Sequence, residues 1–276
     1  MADWAENFSY DYYARLVEAA CRFLTPRLFR EVPSLRADGG HLLLRHDIDC
    51  SLDAALALGR LERDMGVRST YFVMMQSLLY DPEQGDVLRE LRDLGHEVGI
   101  HFDCPPEQRG DDRAGLEARV RMDCHRLQAV LGEAVTSISF HRPVESFLRG
   151  PLFVAGRVNA YAAELMTWYI SDSRGSWRCG EPLAEIARAR HGTLQLLTHP
   201  IWWGREHLAP ADRLQLFFRQ STRHMSRRER AVFDAILTAT MPGVRRNGLY
   251  APPPSLLRQQ PPPPREADRS GLAQRL

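Results

Sequence analysis

From about residue 40 to about residue 200 the chain alternates short apolar runs with longer amphipathic stretches. The runs lie at 41–44, 69–74, 97–101, 135–140, 166–170 and 193–197, each the length of a buried strand. Between them, Leu52, Leu56 and Met65 mark one helical face, and Leu116, Val120, Cys124, Leu127 and Leu131 mark another. Ser51 and Asp81 stand where helix N-caps are expected. After residue 208, Leu214, Phe217, Phe218, Val232, Phe233, Ile236 and Leu237 predict closing helices. Strands linked by helical crossovers predict an α/β protein with a parallel sheet, open or rolled into a barrel.

The residues immediately after each strand form the most informative pattern. The chain reads RHDIDCS after Leu44, HFD after Ile100, HRP after Phe140, SDS after Ile170 and THP after Leu197. In a parallel sheet all these strand ends open onto one rim, where binding and catalytic groups collect. Asp47 and Asp49 point to the same side by period-two alternation, able to share a cation or a water; the plain alternative is an N-cap for the helix near Ser51. His101 and His141 end successive strands, and with Asp49 they form a His₂-carboxylate set, with Asp103 a competing ligand. His199 is a candidate general acid, with Asp172 to orient it. Trp177, Trp202 and Trp203 flank these last two motifs and are expected to offer an aromatic wall suited to a sugar ring.

The segments RHDIDCSLDAALALGRLERDMGVRSTYFV, GHEVGIHFD, SFHRP, YISDSRGSW and LQLLTHPIWW occur in an order that resembles the polysaccharide deacetylase family, also called NodB-like or carbohydrate esterase family 4 domains, in its H-D-x-D branch. The resemblance spans about residues 40–204. It implies a distorted (β/α)7 barrel that uses a divalent metal to hydrolyse N-acetyl or similar acyl groups on sugars. On that pattern Asp47 is the catalytic base, Asp49 and His101 are metal ligands, Asp172 and Trp177 belong to the fourth motif, and His199 is the general acid. The family's H-x-x-x-H motif has Pro105 at its second histidine here, so the third ligand is His141, Asp103 or water. Arg142 is the candidate for orienting the base, and a backbone N–H near Val144 for steadying the oxyanion. The donor set suits Zn first, with Mn, Fe, Co and Ni also accommodated.

Composition narrows the setting. The 276 residues carry 36 basic side chains, all arginine, against 35 acidic ones, for a net charge of +1. No whole-molecule field draws the chain to nucleic acid or anionic membrane, and lysine-based Schiff-base or Walker-type chemistry is excluded. Five cysteines without a C-x-x-C pair, and an N-terminal stretch without a basic segment leading into an apolar run, predict a cytoplasmic protein with no membrane span. An acetylated amino sugar or glycan precursor is the substrate expected there. The domain expectation is a catalytic unit over 1–250 and a Pro-rich disordered tail over 251–276, which holds seven of the 18 prolines. Rival readings are a sugar-binding protein that has lost catalysis, a hydrolase of a non-sugar amide, and an interaction protein acting through the tail.

Overall fold

In the computed structural model, residues 7–36, 39–104, 113–142, 147–188 and 192–244 are described. All six expected strands form. They are β2 (His41–Ile48), β3 (Thr70–Val73), β4 (Glu97–Phe102), β5 (Ser137–Phe140), β8 (Trp168–Ser171) and β9 (Thr193–Thr198). Three short strands that the pattern did not announce join them: β1 (Thr25–Arg27), β6 (Phe153–Val154) and β7 (Arg157–Asn159). The sheet order is β6-β7-β5-β4-β3-β2-β9-β8, with β1 beside the first half of β2. Every pairing is parallel except the β6–β7 hairpin. No ladder joins β8 to β6 or β7 among the described residues, so the distorted barrel takes the form of a curled half-barrel.

The strands alternate in a way the short apolar runs concealed. Leu42, Leu44 and Ile48 of β2, Tyr71 and Val73 of β3, Val98, Ile100 and Phe102 of β4, and Ile138 and Phe140 of β5 share one parity. Most of them join a single apolar cluster with Leu88, Leu91, Leu116, Val120, Cys124, Leu127 and Leu131 from the crossover helices α3 (Asp86–Asp93) and α4 (Arg113–Leu131). The opposite parity faces inward and is largely polar: Arg45, Asp47, Glu97, His101, Ser137, Ser139 and Gln195, all buried. A small apolar layer, built on Leu43, Phe72, Phe29 and Val158, fills part of the interior. Gly99 permits that layer, because a Cβ there would meet the Phe72 ring at 2.7 Å and Ser137 Oγ at 2.6 Å. Deeper in the sheet the Glu97 carboxylate accepts from Ser137 Oγ at 2.7 Å, Thr70 Oγ1 at 3.0 Å and the Arg30 N–H at 2.9 Å.

Helix α2 (Leu52–Asp64) begins as expected, with Ser51 Oγ accepting from the Ala54 N–H at 3.2 Å. Its buried face differs from the Leu52/Leu56/Met65 stripe: Ala55, Leu56, Leu58, Gly59 and Glu62 are covered. The reason is a polar hub. Glu62 is fully buried; its Oε2 accepts from Ser69 Oγ at 2.6 Å and Tyr71 Oη at 2.7 Å, and its Oε1 accepts from Tyr13 Oη and lies 2.8 Å from His46 Nε2. Tyr13 comes from α1 (Tyr10–Cys21), capped by Ser9, a helix that the sequence pattern missed. Asp81 caps a 3₁₀ turn over Pro82–Gln84 instead of α3 itself. The closing helices are α6 (Pro210–Ser221), burying Leu214 and Phe218, and α7 (Arg227–Thr240), burying Phe233 and Leu237; α5 (Pro182–Ala187) completes the set. No helix among the described residues is long and apolar enough to cross a membrane. The tail expectation for 251–276, Pro105 and Val144 fall outside the described residues.

Burial alone would raise the Glu62 pKa, but the His46 and His96 rings and its hydrogen bonds outweigh it and hold it at about 2, below the ordinary 4.5. Because the folded value is the lower one, the hub stabilises the fold above about pH 4.5 and loses that contribution as the pH falls toward about 2. Glu62→Gln is therefore expected to unfold at lower urea than wild type at pH 7, by roughly 3 kcal/mol. The gap should close as both are titrated to low pH. A gap that is constant with pH would contradict an ionised Glu62.

Candidate metal centre and catalytic cluster

Strand β2 runs four residues past the expected Leu44, which places Arg45 and Asp47 on the inward face two positions apart. The guanidinium reaches forward onto the carboxylate through two bonds, Nε to Oδ1 at 2.9 Å and Nη2 to Oδ2 at 2.8 Å, with both groups buried. A third bond joins Arg45 Nη1 to Gln195 Oε1 on β9 at 2.9 Å, and the Tyr161 ring lies 4.4 Å from the guanidinium carbon. Burial pushes the Asp47 pKa up, but Arg45 and His101 prevail and lower it. Asp47 is thus held ionised and in one orientation.

Asp49 lies beyond the end of β2, where the chain turns into α2. Its Oδ1 is 3.1 Å from His101 Nε2 and 3.1 Å from His141 Nδ1, and these two nitrogens are 3.3 Å apart. One ligand atom from each residue lies within 4.8 Å of the others, the arrangement of a group able to hold a metal ion. The β4–β5 pairing makes this possible, since the His141 N–H donates to Phe102 O at 2.9 Å and carries that side chain alongside His101. The remaining nitrogen of His101 meets Ser139 Oγ at 2.6 Å, and that hydroxyl donates to Asp47 Oδ1 at 3.2 Å. A fixed second nitrogen is what orients a metal-ligating imidazole. The donor set fits a divalent cation: two imidazoles and a carboxylate whose pKa, despite burial, is held well below the usual range by His141 and His101. Of the alternatives for the third ligand position, His141 is in the cluster. Asp103 is drawn away onto Arg142.

His199 follows β9. Its Nδ1 is 2.6 Å from Asp172 Oδ1, and Asp172 also accepts from the His199 N–H at 3.0 Å and from Trp203 Nε1 at 3.0 Å. Its Nε2 points toward the cluster, 3.8 Å from Asp49 Oδ2. Burial disfavours the charged ring, but Asp172, Asp49 and Asp47 outweigh it and raise its pKa to about 9. The ring therefore carries a proton at neutral pH.

Asp47, Asp49, His101, His141, Arg142 and His199 all line one cavity of about 450 Å³. Two expectations give way. Arg142 does not touch Asp47; it makes two bonds to Asp103 across the rim, because it lies beyond the end of β5 while Arg45 shares a strand face with Asp47. Trp177, Trp202 and Trp203 do not line the cavity. They are at most 6% exposed and belong to the core. Phe8, just before α1, packs 5.3 Å from Trp203 and 6.2 Å from Trp177, and Tyr13 packs 5.1 Å from Trp203. Trp203 acts on the site only through its bond to Asp172. The aromatic residues that do face the cavity are Tyr161 and Tyr169, with Thr240, Met241 and Pro242 at and after the end of α7 on another wall. Arg45, Ser139 and Tyr169 were legible as inward positions of their strands; Tyr161 and the residues near the end of α7 carried no such signal.

Fold and site together define a class: a curled parallel α/β sheet with an Asp-His-His group, a second aspartate and an Asp-held histidine around one cavity at the strand C-terminal ends. No protein-family model and no curated protein matches the chain. Similar solved structures include a family 4 carbohydrate esterase from Streptomyces lividans in complex with acetate, 16% identical, covering 66% of this chain and 87% of that one with a TM-score of 0.38. A peptidoglycan deacetylase from Bacillus subtilis is 15% identical over 65% of this chain and 83% of that one, at 0.42. A CE4 family pseudoenzyme from Bacillus anthracis is 12% identical over 67% and 61%, at 0.39. The chain thus spans about three fifths of the length of that pseudoenzyme.

The geometry makes His141, and not Asp103, the partner of Asp49 and His101. Zinc titration against a chromogenic chelator should give about one site per chain, weakened by roughly a hundredfold or more in His141→Ala and little changed in Asp103→Asn. The reverse order would reassign the ligand.

Proposed function

We propose that this protein is a metal-dependent hydrolase that removes an N-acetyl or similar acyl group from an amino-sugar-containing substrate. One observation carries the reading: an aspartate held by Arg45 and a histidine held by Asp172 line the same cavity as a three-residue group able to hold a metal ion. Asp49, His101 and His141 would hold the cation, with zinc the first candidate. Such a cation supplies a Lewis acid for the acyl oxygen and lowers the pKa of water toward neutrality.

The chain's own groups divide the proton work. Asp47 Oδ1 and Oδ2 are both engaged by Arg45, so the carboxylate is aimed rather than free, and it takes the proton of the attacking water. His199 Nε2 is the ring nitrogen turned toward the cavity and delivers a proton to the departing amine, while Asp172 holds Nδ1 and stabilises the imidazolium. Arg142, locked to Asp103, shapes the rim. A cytoplasmic location would make a nucleotide sugar or a lipid-linked glycan precursor easier to reach than mature cell wall. The rival reading, a binding protein without catalysis, rests on Pro105 in place of a histidine; His141 supplies the missing donor from the end of the next strand.

The test is acetate release from a panel of N-acetylated amino sugars by the zinc-loaded protein. Asp47→Asn and His199→Ala should each lower kcat by roughly 10²- to 10⁴-fold, and Asp49→Ala should abolish both metal retention and release. A metal-loaded wild-type protein that releases no acyl group from any member would refute the reading.

A further inference from the structure

Four arginines surround the reaction groups, and only two of them are engaged. Arg45 holds Asp47, and Arg142 holds Asp103. Arg174 and Arg178 line the same cavity, are exposed, and make no hydrogen bond or ion pair with any other described residue. No acid among the cavity-lining residues balances them. The acidic residues of that lining are Asp47, already paired with Arg45, and Asp49, placed between two imidazoles. Among the described residues, the cavity lining therefore carries two guanidinium charges without an acidic partner.

The backbone presents Arg174 at an energetic cost. Arg174 has φ 63° and ψ 24°, a left-handed conformation that disfavours a residue with a Cβ. Gly175 follows at φ 68°, and a Cβ there would lie 2.4 Å from the Pro210 ring, so the turn cannot relax toward α6. The Arg174 stem runs past Gly243, its Cδ 3.6 Å from where a Cβ would stand. The tryptophans are in the core, so among the described residues the aromatic lining of the cavity comes from Tyr161 and Tyr169 alone.

We infer that the substrate carries an oxyanion, phosphate or carboxylate, and that Arg174 and Arg178 bind it beside the acyl group that is cleaved. Planar guanidinium groups suit such oxyanions through paired, charge-assisted hydrogen bonds. The inference rests on the hydrolase reading above and narrows its substrate to anionic amino-sugar derivatives.

Acetate release by the full-length zinc-loaded protein is compared for N-acetylglucosamine, its 1-phosphate and 6-phosphate, and N-acetylmuramic acid. In parallel, calorimetry measures binding of glucosamine, glucosamine 1-phosphate, glucosamine 6-phosphate and muramic acid. At least one member with a phosphate or carboxylate should exceed its counterpart without one by roughly tenfold or more in both assays, the worth of charge-assisted bonds, and added salt should narrow the ratio. The phosphate and carboxylate arms tell the two anions apart. Arg174→Gln/Arg178→Gln should bring the ratio to about one, and so should Arg174→Gly/Arg178→Gln, whose glycine suits the left-handed backbone and keeps the turn. Equal binding of sugars with and without the phosphate or carboxylate, or a preference that survives in both double variants, would overturn the inference. If no acetate is released from any sugar, the hydrolase reading fails, and the calorimetric comparison of wild type with the variants still decides whether these arginines bind the anion.

Discussion

The Arg45–Asp47 ion pair organises the interior of this protein. Two opposite charges on one face of a central strand cannot be left singly in a low-dielectric interior, so each must find the other and then satisfy its remaining hydrogen-bonding atoms. Arg45 does so through Gln195, and Asp47 through Ser139, which ties β2 to β9 on one side and to β5 across the barrel. Because Ser139 also meets His101, the same chain of contacts reaches a candidate metal ligand. Disturbing the pair would disturb Asp47, His101 and the strands that carry them together.

A second polar network lies on the other face of β2. His46, between Arg45 and Asp47 in sequence, points outward, where its two ring nitrogens meet Glu62 and Thr198. One strand thus anchors its tip from both faces, inward through the ion pair and outward through the Glu62 hub. Anchored in this way, and with Tyr80 Oη donating to Ile48 O at 2.7 Å, the strand end holds Asp47 and Asp49 in place. Preorganisation of this kind lets charged groups act without reorganising during reaction.

The charges around the cavity divide by function. Arg45 lowers the Asp47 pKa and Asp172 raises that of His199, so a carboxylate and an imidazole are driven toward opposite charges in one cavity. Trp203 contributes to this division from the core, through its N–H to Asp172. The N-terminal aromatic residues Phe8 and Tyr13, remote in sequence from every motif, brace that tryptophan.

Much of this was legible along the chain. Local hydrophobic period and the residues just after each run determine strands, crossover helices and a shared rim, because parallel strands with helical crossovers present all their C-terminal ends on one side. The identities Asp47, Asp49, His101, His141, Asp172 and His199 come from that rule alone. Which groups touch depended on register and on side-chain reach between strands. Only the β4–β5 pairing brings His141 to Asp49, and only the extension of β2 lets Arg45 take the partner expected for Arg142. The tryptophans show the same division: their sequence neighbourhood suggested a ligand wall, but α1 and the residues before it, with little signal of their own, cover them because burying large aromatic surface stabilises the fold. Local chemistry belongs to the sequence, whereas contacts between distant segments are set by the competition for buried area and paired charge that only the folded chain resolves.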